Sequence, residues 1–536
     1  MDQFITYISL FGIIVSIGQL FNRSTIPIPL LLVITGMLLS LLPGLPVVTL
    51  QPDLVLHIFL PLLVYEASIF FSWKDVRRHL RPIALLSVGH VIFITILVAV
   101  AIHALIPALG WPLAFVLGAV ISPPDDVAII GIAEKIRMPA KIVTILEGEG
   151  LLNDATALLL FRFALAAVLT HQFLIIQAIS MFFAVIVGEI TYGLLLGYVM
   201  GKIRLKLSNP ILQIISSLLT PFVAYIPAEK LGGCGVLATV VTGFVISHRY
   251  ATRFTPEFRL INNAVWPTVA FAIQSLLFLL VGLNLHWVLS RISNIPMSSL
   301  FLYGSTIVAV VIIGRFVWVY GAVAFLPRFL FPAIRKKDPY PPWQYPFVTS
   351  WAGMRGAISL AAALAVPLLP FSIDGINPRD LLIFLVFCVI TATLVIQGLT
   401  LPWLLEVLGI NHEGKREQCD EHMSELEARM ILVNTTLQWL HAYQKQKKHN
   451  KKILADVGFY IEKYTMQKEK LEERIKNRHQ QMDEQAEIEE EFFLSSKLIE
   501  VERVTLLNLW QEEKINLAIR NKLQDRLDHR SRHLPG

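Results

Sequence analysis

Residues 145–160 place four polar side chains inside a strongly apolar stretch. Glu147, Glu149, Asn153 and Asp154 have aliphatic residues on both sides. A carboxylate at bilayer depth is costly unless it is paired, protonated or facing a water-filled cavity, so a cluster of this kind indicates an ion or proton site. Because Glu149 and Asn153 are four residues apart, they lie on one face of a helix, one turn from each other.

The composition is that of a polytopic membrane protein. The chain has 536 residues, of which 55% are hydrophobic, and its mean hydropathy is +0.61, values that a soluble protein of this length does not carry. The net charge of +6 comes from loops between apolar stretches and gives no indication of nucleic-acid binding. Cys234, Cys388 and Cys419 are too scattered for a disulfide framework or a metal site, and we expect neither a cofactor nor enzyme activity.

Charge density divides the chain near Asn411. Residues 1–410 hold 24 Lys/Arg and 17 Asp/Glu, whereas residues 411–536 hold 22 and 23. We therefore predict a membrane domain over residues 1–410 and a charged, helical, cytoplasmic domain over residues 411–536. Apolar residues in the second domain recur every three or four positions, as in an amphipathic helix. They include Met423, Leu426, Met430, Val433 and Leu437.

Apolar runs of about 17–30 residues predict an all-α fold with thirteen membrane-spanning helices. The runs lie near residues 3–20, 27–43, 53–71, 82–108, 112–133, 145–170, 173–201, 210–228, 232–248, 264–287, 299–327, 344–370 and 380–408.

The charges of the loops predict the orientation. Thirteen spans place 18 Lys/Arg on one side of the membrane and three on the other. The positive-inside rule makes the richer side cytoplasmic, so we expect the N-terminus outside, the C-terminus inside and a location in the plasma membrane. The 18 residues are Arg23, Lys74, Arg77, Arg78, Arg81, Lys135, Arg137, Lys141, Lys202, Arg204, Lys206, Arg249, Arg253, Arg259, Arg328, Arg335, Lys336 and Lys337.

The fifth and the twelfth of these runs contain helix-breaking residues near their middles. Residues 120–128 read VISPPDDVA, and residues 349–359 read TSWAGMRGAIS. Broken backbone at membrane depth is tolerated only where it lines a cavity or is buried in protein. Interrupted helices at matching positions of two repeats point to the ion site of a secondary transporter. A proline kink and a glycine packing seam form the simpler alternative, which we disfavour because both breaks carry charge.

Six segments, in this order, resemble the sodium/proton exchanger branch of the monovalent cation:proton antiporters (NhaP-type). The resemblance covers about residues 10–408. It implies a thirteen-helix inverted-repeat fold, a homodimer, and exchange of Na⁺, and in some members Li⁺ or K⁺, against H⁺. Gly193, Gly197 and Gly201, at four-residue spacing, suggest the dimer face. The segments are 59–67 (FLPLLVYEA), 122–128 (SPPDDVA), 146–155 (LEGEGLLNDA), 235–238 (GVLA), 278–283 (FLLVGL) and 351–357 (WAGMRGA).

The resemblance implies a role for each acid of the ion site. Asp154 matches the carboxylate that binds the transported Na⁺, and Asn153 is its amide partner. Asp125 matches the acid of the unwound helix, and Glu66 is a further polar contributor. These residue types suit Na⁺, because hard cations prefer oxygen ligands. A carboxylate that holds either a cation or a proton, never both, couples the two flows.

The resemblance also implies a structural ion pair between Glu149 and Arg355 that joins the sixth span to the twelfth. An arginine within the membrane needs a counter-charge, and Glu149 supplies one away from the ion. Arg315 is also intramembrane, and we expect it to form a structural ion pair with a partner that the sequence does not reveal.

The chain departs from the family pattern at three positions. Gly150 replaces a common hydroxyl residue, Pro124 replaces the usual Thr, and Asp126 adds an acid after Asp125. Two hydroxyl ligands are thus lost, and we expect backbone carbonyls, Asp126 or water to take their place. The preference between Na⁺ and K⁺ is left open.

The predicted function is secondary antiport of a cation against a proton by alternating access, contributing to pH and sodium homeostasis. Asn153 and Asp154 together contribute one titrating carboxylate, which predicts an electroneutral 1:1 exchange if Asp125 and Asp126 keep a fixed protonation state. The alternative is a transport-impaired sensor that signals through the C-terminal domain. A channel is disfavoured because the sequence has no filter motif, and a primary pump because it has no P-loop.

Overall fold

The computed structural model describes most of the chain. The described residues are 2–21, 27–42, 51–125, 129–131, 133, 138–170, 175–292, 295–338, 340–369, 372, 376–446 and 451–478, with 501–502, 504–506, 508 and 523 near the C-terminus. Asp126, the additional acid predicted for the ion site, lies outside these residues.

Helices make up nearly all of the described chain. The helices used below are α1 Asp2–Leu20, α2 Ile28–Ser40, α3 Pro52–Phe70, α4 Leu80–Leu105, α5 Gly110–Ile121, α6 Ala140–Thr170, α7 Ile175–Lys206, α8 Pro210–Lys230, α9 Val236–Tyr250, α10 Pro256–Leu283, α11 Met297–Leu330, α12 Gln344–Trp351, α13 Ala357–Leu364, α14 Pro378–Val407, α15 Ile410–Gln446 and α16 Lys451–Arg478.

The apolar helices agree with a polytopic membrane fold. Among the described residues, eight helical segments are long and apolar enough to cross a membrane, and three shorter apolar helices occupy Ile8–Leu20, Ile28–Ser40 and Pro107–Ile121. Helices overlap all thirteen intervals predicted from the sequence. The all-α fold is therefore confirmed, whereas thirteen crossings and the orientation of the termini stay predictions.

The two predicted helix interruptions are present. α5 ends at Ile121, residues 122–125 are not helical, and helix resumes over 129–131. On the other side, α12 ends at Trp351 and α13 starts at Ala357. α13 reads AISLAAAL, and all its residues except Ile358 are buried. A helix that is apolar all round is stable only when it is enclosed by protein, so α13 belongs to the packed centre of the membrane domain.

The glycine stripe of α7, formed by Gly193, Gly197 and Gly201, packs against α9 of the same chain. The sequence had suggested that these glycines form a dimer face. A Cβ on Gly193 would lie 2.7 Å from Ala238 O, and one on Gly197 would lie 3.0 Å from Thr242 O. A Cβ on Gly201 would lie 2.4 Å from the ring of Tyr250. The absence of these side chains lets two helices of one chain approach closely, so the stripe gives no support for a dimer.

The chain divides into two compact units, Met1–Lys415 and Arg416–Gly536. In the second unit, α15 and α16 pack through an apolar cluster that contains Leu426, Val433 and Leu437. These residues belong to the pattern that predicted an amphipathic helix. Their partner on α16 is Leu471, with Ile461, Tyr464 and Ile475 beside it.

Candidate functional site

The two interruptions meet at one place, and a backbone hydrogen bond joins them. The Asp125 N–H donates to Met354 O at 2.7 Å. Asp125 belongs to the segment that follows α5, and Met354 belongs to the link between α12 and α13. Broken backbone inside a membrane domain needs such partners because each unpaired polar group costs several kcal/mol there.

Arg355 stabilises the end of α5 from the opposite interruption. Its side chain is fully buried; Nε donates to Ile121 O at 2.6 Å and Nη1 to Gly353 O at 2.8 Å. Its backbone N–H donates to Thr393 Oγ1 at 3.1 Å. The last carbonyls of a helix have no intrahelical donor and carry partial negative charge. The guanidinium therefore caps the C-terminal end of α5.

Arg315, on α11, caps the C-terminal end of α12 as Arg355 caps that of α5. Its Nε and Nη2 each donate to Thr349 O at 3.1 Å. The same guanidinium donates from Nη1 and Nη2 to the two carboxylate oxygens of Glu149, at 2.6 and 2.8 Å. Both side chains are 1% exposed. One arginine thus joins α6, α11 and the end of α12.

The predicted ion pair between Glu149 and Arg355 is therefore wrong in its arginine. The Arg355 guanidinium donates to the carbonyls of Ile121 and Gly353. Arg315 instead forms a bidentate ion pair with the Glu149 carboxylate. Both arginines lie within apolar stretches, and the sequence offers no means to choose between them. His90 Nδ1 lies 3.8 Å from Glu149 Oε1, and the buried His90 ring makes no hydrogen bond within the described part of the chain.

Asn153 connects α6 to the first interruption. Its Nδ2 donates to Pro124 O at 2.7 Å, and the side chain is fully buried. The amide therefore holds the unwound segment beside α6. Pro124 lacks the hydroxyl usual at its position, but its carbonyl makes the contact that positions the segment.

Three of the predicted acids line one cavity of about 540 Å³ at this crossing: Asp154, Asp125 and Glu66. Asp154 is partly exposed, and it lies close enough to Asp125 for the two carboxylates to interact electrostatically. Gly150 and Pro124, the positions that lack hydroxyls, line the same cavity. The structure thus brings together Asp154, Asp125 and Glu66, with Asn153 packed behind them.

Gly356 makes room for the Asp125 carboxylate. A Cβ on Gly356 would lie 1.8 Å from Asp125 Oδ2, much closer than any side chain tolerates. The backbone φ of Gly356 is −115°, which every residue adopts. Glycine is required here because the carboxylate passes directly over its Cα.

Sequence reasoning missed three polar residues of the cavity. Gln274 and Ser275 come from α10, and Ser359 comes from the start of α13. They supply the amide and hydroxyl oxygens that a hard cation accepts. The available signal was polarity within a span, since Gln274 and Ser275 interrupt an otherwise apolar run.

Comparisons with known proteins point to one family of membrane transporters. A family model described as "Sodium/hydrogen exchanger, transmembrane" matches residues 8–407. An uncharacterized Na⁺/H⁺ exchanger of Mycobacterium tuberculosis (strain H37Rv) is 35% identical over 388 residues, which are 71% of this chain and 70% of that protein. The Na⁺/H⁺ antiporter ApNhaP of Aphanothece halophytica is 30% identical over 449 residues, 82% of this chain and 81% of the relative.

A solved structure shows the same fold. The sodium proton antiporter MjNhaP1 of Methanocaldococcus jannaschii superposes with a TM-score of 0.55, covering 75% of this chain and 98% of the antiporter. The two sequences are 17% identical, so this structural similarity supports the fold alone.

Proposed function

The chain belongs to the sodium/hydrogen exchanger family, and from that premise we propose that it exchanges Na⁺ for H⁺ across the membrane by alternating access. The observation that carries the proposal is the cavity at the crossing of the two interrupted helices, which Asp154, Asp125 and Glu66 line. Carboxylates at this depth are retained when they serve an ion or proton pathway.

Asp154 is the residue that we propose alternates between the two substrates. Its carboxylate is partly exposed at the cavity and lies beside Asp125. A cation and a proton compete for the same oxygens, so binding one releases the other. Oxygens of Asp125, Gln274 and Ser359 line the same cavity and are available to complete the shell around Na⁺.

Two polar side chains close to Asp154 on α6 add no second titrating charge, which supports a 1:1 stoichiometry. Asn153 contributes an amide that is held by Pro124 O and does not titrate. Glu149 forms a bidentate ion pair with Arg315. If Asp125, Asp126 and Glu66 each keep one protonation state, the loaded site carries the same charge with Na⁺ as with H⁺, and the exchange is electrically silent.

The membrane arrangement follows the charge bias of the sequence. We place the side with 18 basic loop residues in the cytoplasm, with the N-terminus outside and the C-terminal unit inside. The protein would then act in the plasma membrane, and the family resemblance implies a homodimer. Cellular sodium and pH homeostasis would be its physiological use.

The test is cation-dependent proton flux in everted membrane vesicles. A pH gradient is imposed, and Na⁺, Li⁺ or K⁺ is added over a series of pH values while a fluorescent probe reports the gradient. We expect Na⁺ to dissipate the gradient, and Asp154→Asn vesicles with equal protein content to serve as the control. Wild-type vesicles that behave like this control with all three cations would contradict exchange and favour the transport-impaired alternative.

A further inference from the structure

A second cavity, of about 460 Å³, lies between α4, α6, α11 and α12, apart from the ion site. Its inner walls are apolar and include Leu86, Ile145, Val319 and Val323. None of its lining residues lines the first cavity.

The lining of this cavity is strongly basic at one end. Arg78, Arg81, Lys141 and Arg328 line it together with a single acid, Asp338, among the described residues. Counting these side chains, four positive charges and one negative charge leave a surplus of three. Such a surplus in a partly enclosed site attracts an anion.

The one acid is already shared by several cations. Arg81 Nη2 and Arg328 Nη2 each lie 2.7 Å from Asp338 Oδ2, and Lys141 Nζ lies 3.6 Å from Oδ1. Arg81 Nε is buried and makes no hydrogen bond in the described part of the chain. The other donors of Arg328 bind the backbone carbonyls of Val323, Ala324 and Asp338. The Arg81 Nε–H is therefore the buried donor from which a phosphate oxygen can accept.

Exposed aromatic side chains lie near Arg328 and Asp338 in the sequence, a pattern typical of a segment at a membrane surface. Phe325, Phe329, Tyr340 and Trp343 are each at least 41% exposed in this region. Aromatic side chains are enriched where a membrane meets water. All four basic residues of the cavity belong to the side that the charge bias predicts to be cytoplasmic. An apolar interior with a basic rim at this level matches the two ends of a phospholipid.

We propose that this cavity binds the phosphate headgroup of an anionic phospholipid, with the adjoining part of the lipid against the apolar walls. Thr349 also lines the cavity, and its carbonyl accepts two of the hydrogen bonds that Arg315 donates. A bound lipid would therefore brace α12 at the point where Arg315 joins it to α6.

The test measures lipid-dependent thermal stability of the purified full chain in detergent. Phosphatidylglycerol is titrated into the micelles, with phosphatidylcholine as the neutral lipid and inorganic phosphate as the lipid-free source of the same group. We expect phosphatidylglycerol alone to raise the apparent Tm. A shift of equal size with phosphatidylcholine, or with inorganic phosphate, would overturn the assignment of an anionic lipid.

Two variants with accessible side chains locate the site. Arg78→Gln and Lys141→Gln should each weaken the apparent affinity for phosphatidylglycerol about fivefold, the effect of one basic residue near a membrane surface. Arg77→Gln is the matched control, because Arg77 is exposed next to Arg78 but does not line the cavity. Equal effects in all three variants would show that the lipid binds through diffuse surface charge and would overturn the proposal.

Removing the Asp338 carboxylate should change the lipid affinity in the direction opposite to the Arg78 and Lys141 variants. Asp338→Asn leaves the basic residues without their shared carboxylate, so the anionic lipid should bind more tightly and its stabilising effect should increase. A weaker response in Asp338→Asn than in the wild type would contradict the site, whatever the stability of the variant without lipid.

Discussion

Arg315 donates a hydrogen bond to each carboxylate oxygen of Glu149, at 2.6 and 2.8 Å. The pair joins α11 to α6 four residues before Asn153, one turn from the proposed ion site. Because the same guanidinium also caps α12 through Thr349 O, it fixes the position of α6 relative to the second interrupted helix. Arg355, the partner expected from the family resemblance, caps α5 through Ile121 O.

Arg315→Ala should destabilise the protein strongly. The change leaves the buried Glu149 carboxylate without its partner, at a typical cost of about 3–5 kcal/mol. Adding Glu149→Gln should recover part of the loss, because the uncompensated charge is removed with its partner. The measurement is the apparent Tm of the purified single and double variants.

Arg355→Ala provides the comparison for this pair. It should also destabilise, since Ile121 O loses its donor, but Glu149→Gln should give much less recovery in this background. A double-mutant coupling for Glu149 with Arg355 as large as that with Arg315 would contradict the pairing seen in the structure.

Asp154→Asn should abolish exchange while the protein remains folded. An amide can ligate a cation but cannot carry the exchanged proton, so coupling is lost. Proton flux in vesicles measures the activity, and yield with thermal stability measures the fold. Exchange at the wild-type rate in this variant would remove Asp154 from the centre of the mechanism.

Gly356→Ala should reduce exchange by on the order of tenfold or more, the scale expected when a reacting group is displaced by about an ångström. The new methyl group would stand 1.8 Å from Asp125 Oδ2, so this carboxylate must leave its position. Gly188→Ala is the control, because a Cβ at Gly188 meets nothing within 4 Å. Equal exchange rates in the two variants would mean that the position of Asp125 does not matter for transport.

Gly150→Ser should raise the apparent affinity for Na⁺ relative to K⁺. Gly150 lines the cavity one turn before Asp154, and serine returns a hydroxyl oxygen to that position. Gly150→Ala separates the oxygen from the added volume. The test compares half-saturating cation concentrations in vesicles, and the same Na⁺/K⁺ ratio in the serine and alanine variants would argue against a ligand at this position.

Electroneutral exchange predicts that the membrane potential leaves the transport rate unchanged. Purified protein in liposomes is given a Na⁺ gradient, and the potential is clamped with K⁺ and valinomycin at zero or at a driving value. We expect equal rates at the two potentials, with a valinomycin-free sample as control. A several-fold rise at the driving potential would require a second titrating carboxylate, for which Asp125, Asp126 and Glu66 are the candidates.

Local pattern was sufficient for much of this protein. The lengths of the apolar runs predicted the helices, and the prolines and glycines predicted both interruptions. The acids within residues 145–160 indicated a site around Asp154, and the family resemblance added Asp125 and Glu66. These features can be read from the sequence because the membrane excludes unpaired polar groups. A proline or carboxylate there needs a specific reason to be present.

Tertiary packing decided which groups meet. Glu149 and Arg315 are 166 residues apart, and only the packing of α11 against α6 shows that Arg315, and not Arg355, reaches the carboxylate. The same holds for Gln274 and Ser275, which α10 brings to the cavity, and for the α7 glycines, which α9 covers. Periodicity in the sequence indicates which face of a helix is buried. Which residues pack against that face depends on how helices that are far apart in the sequence pack together.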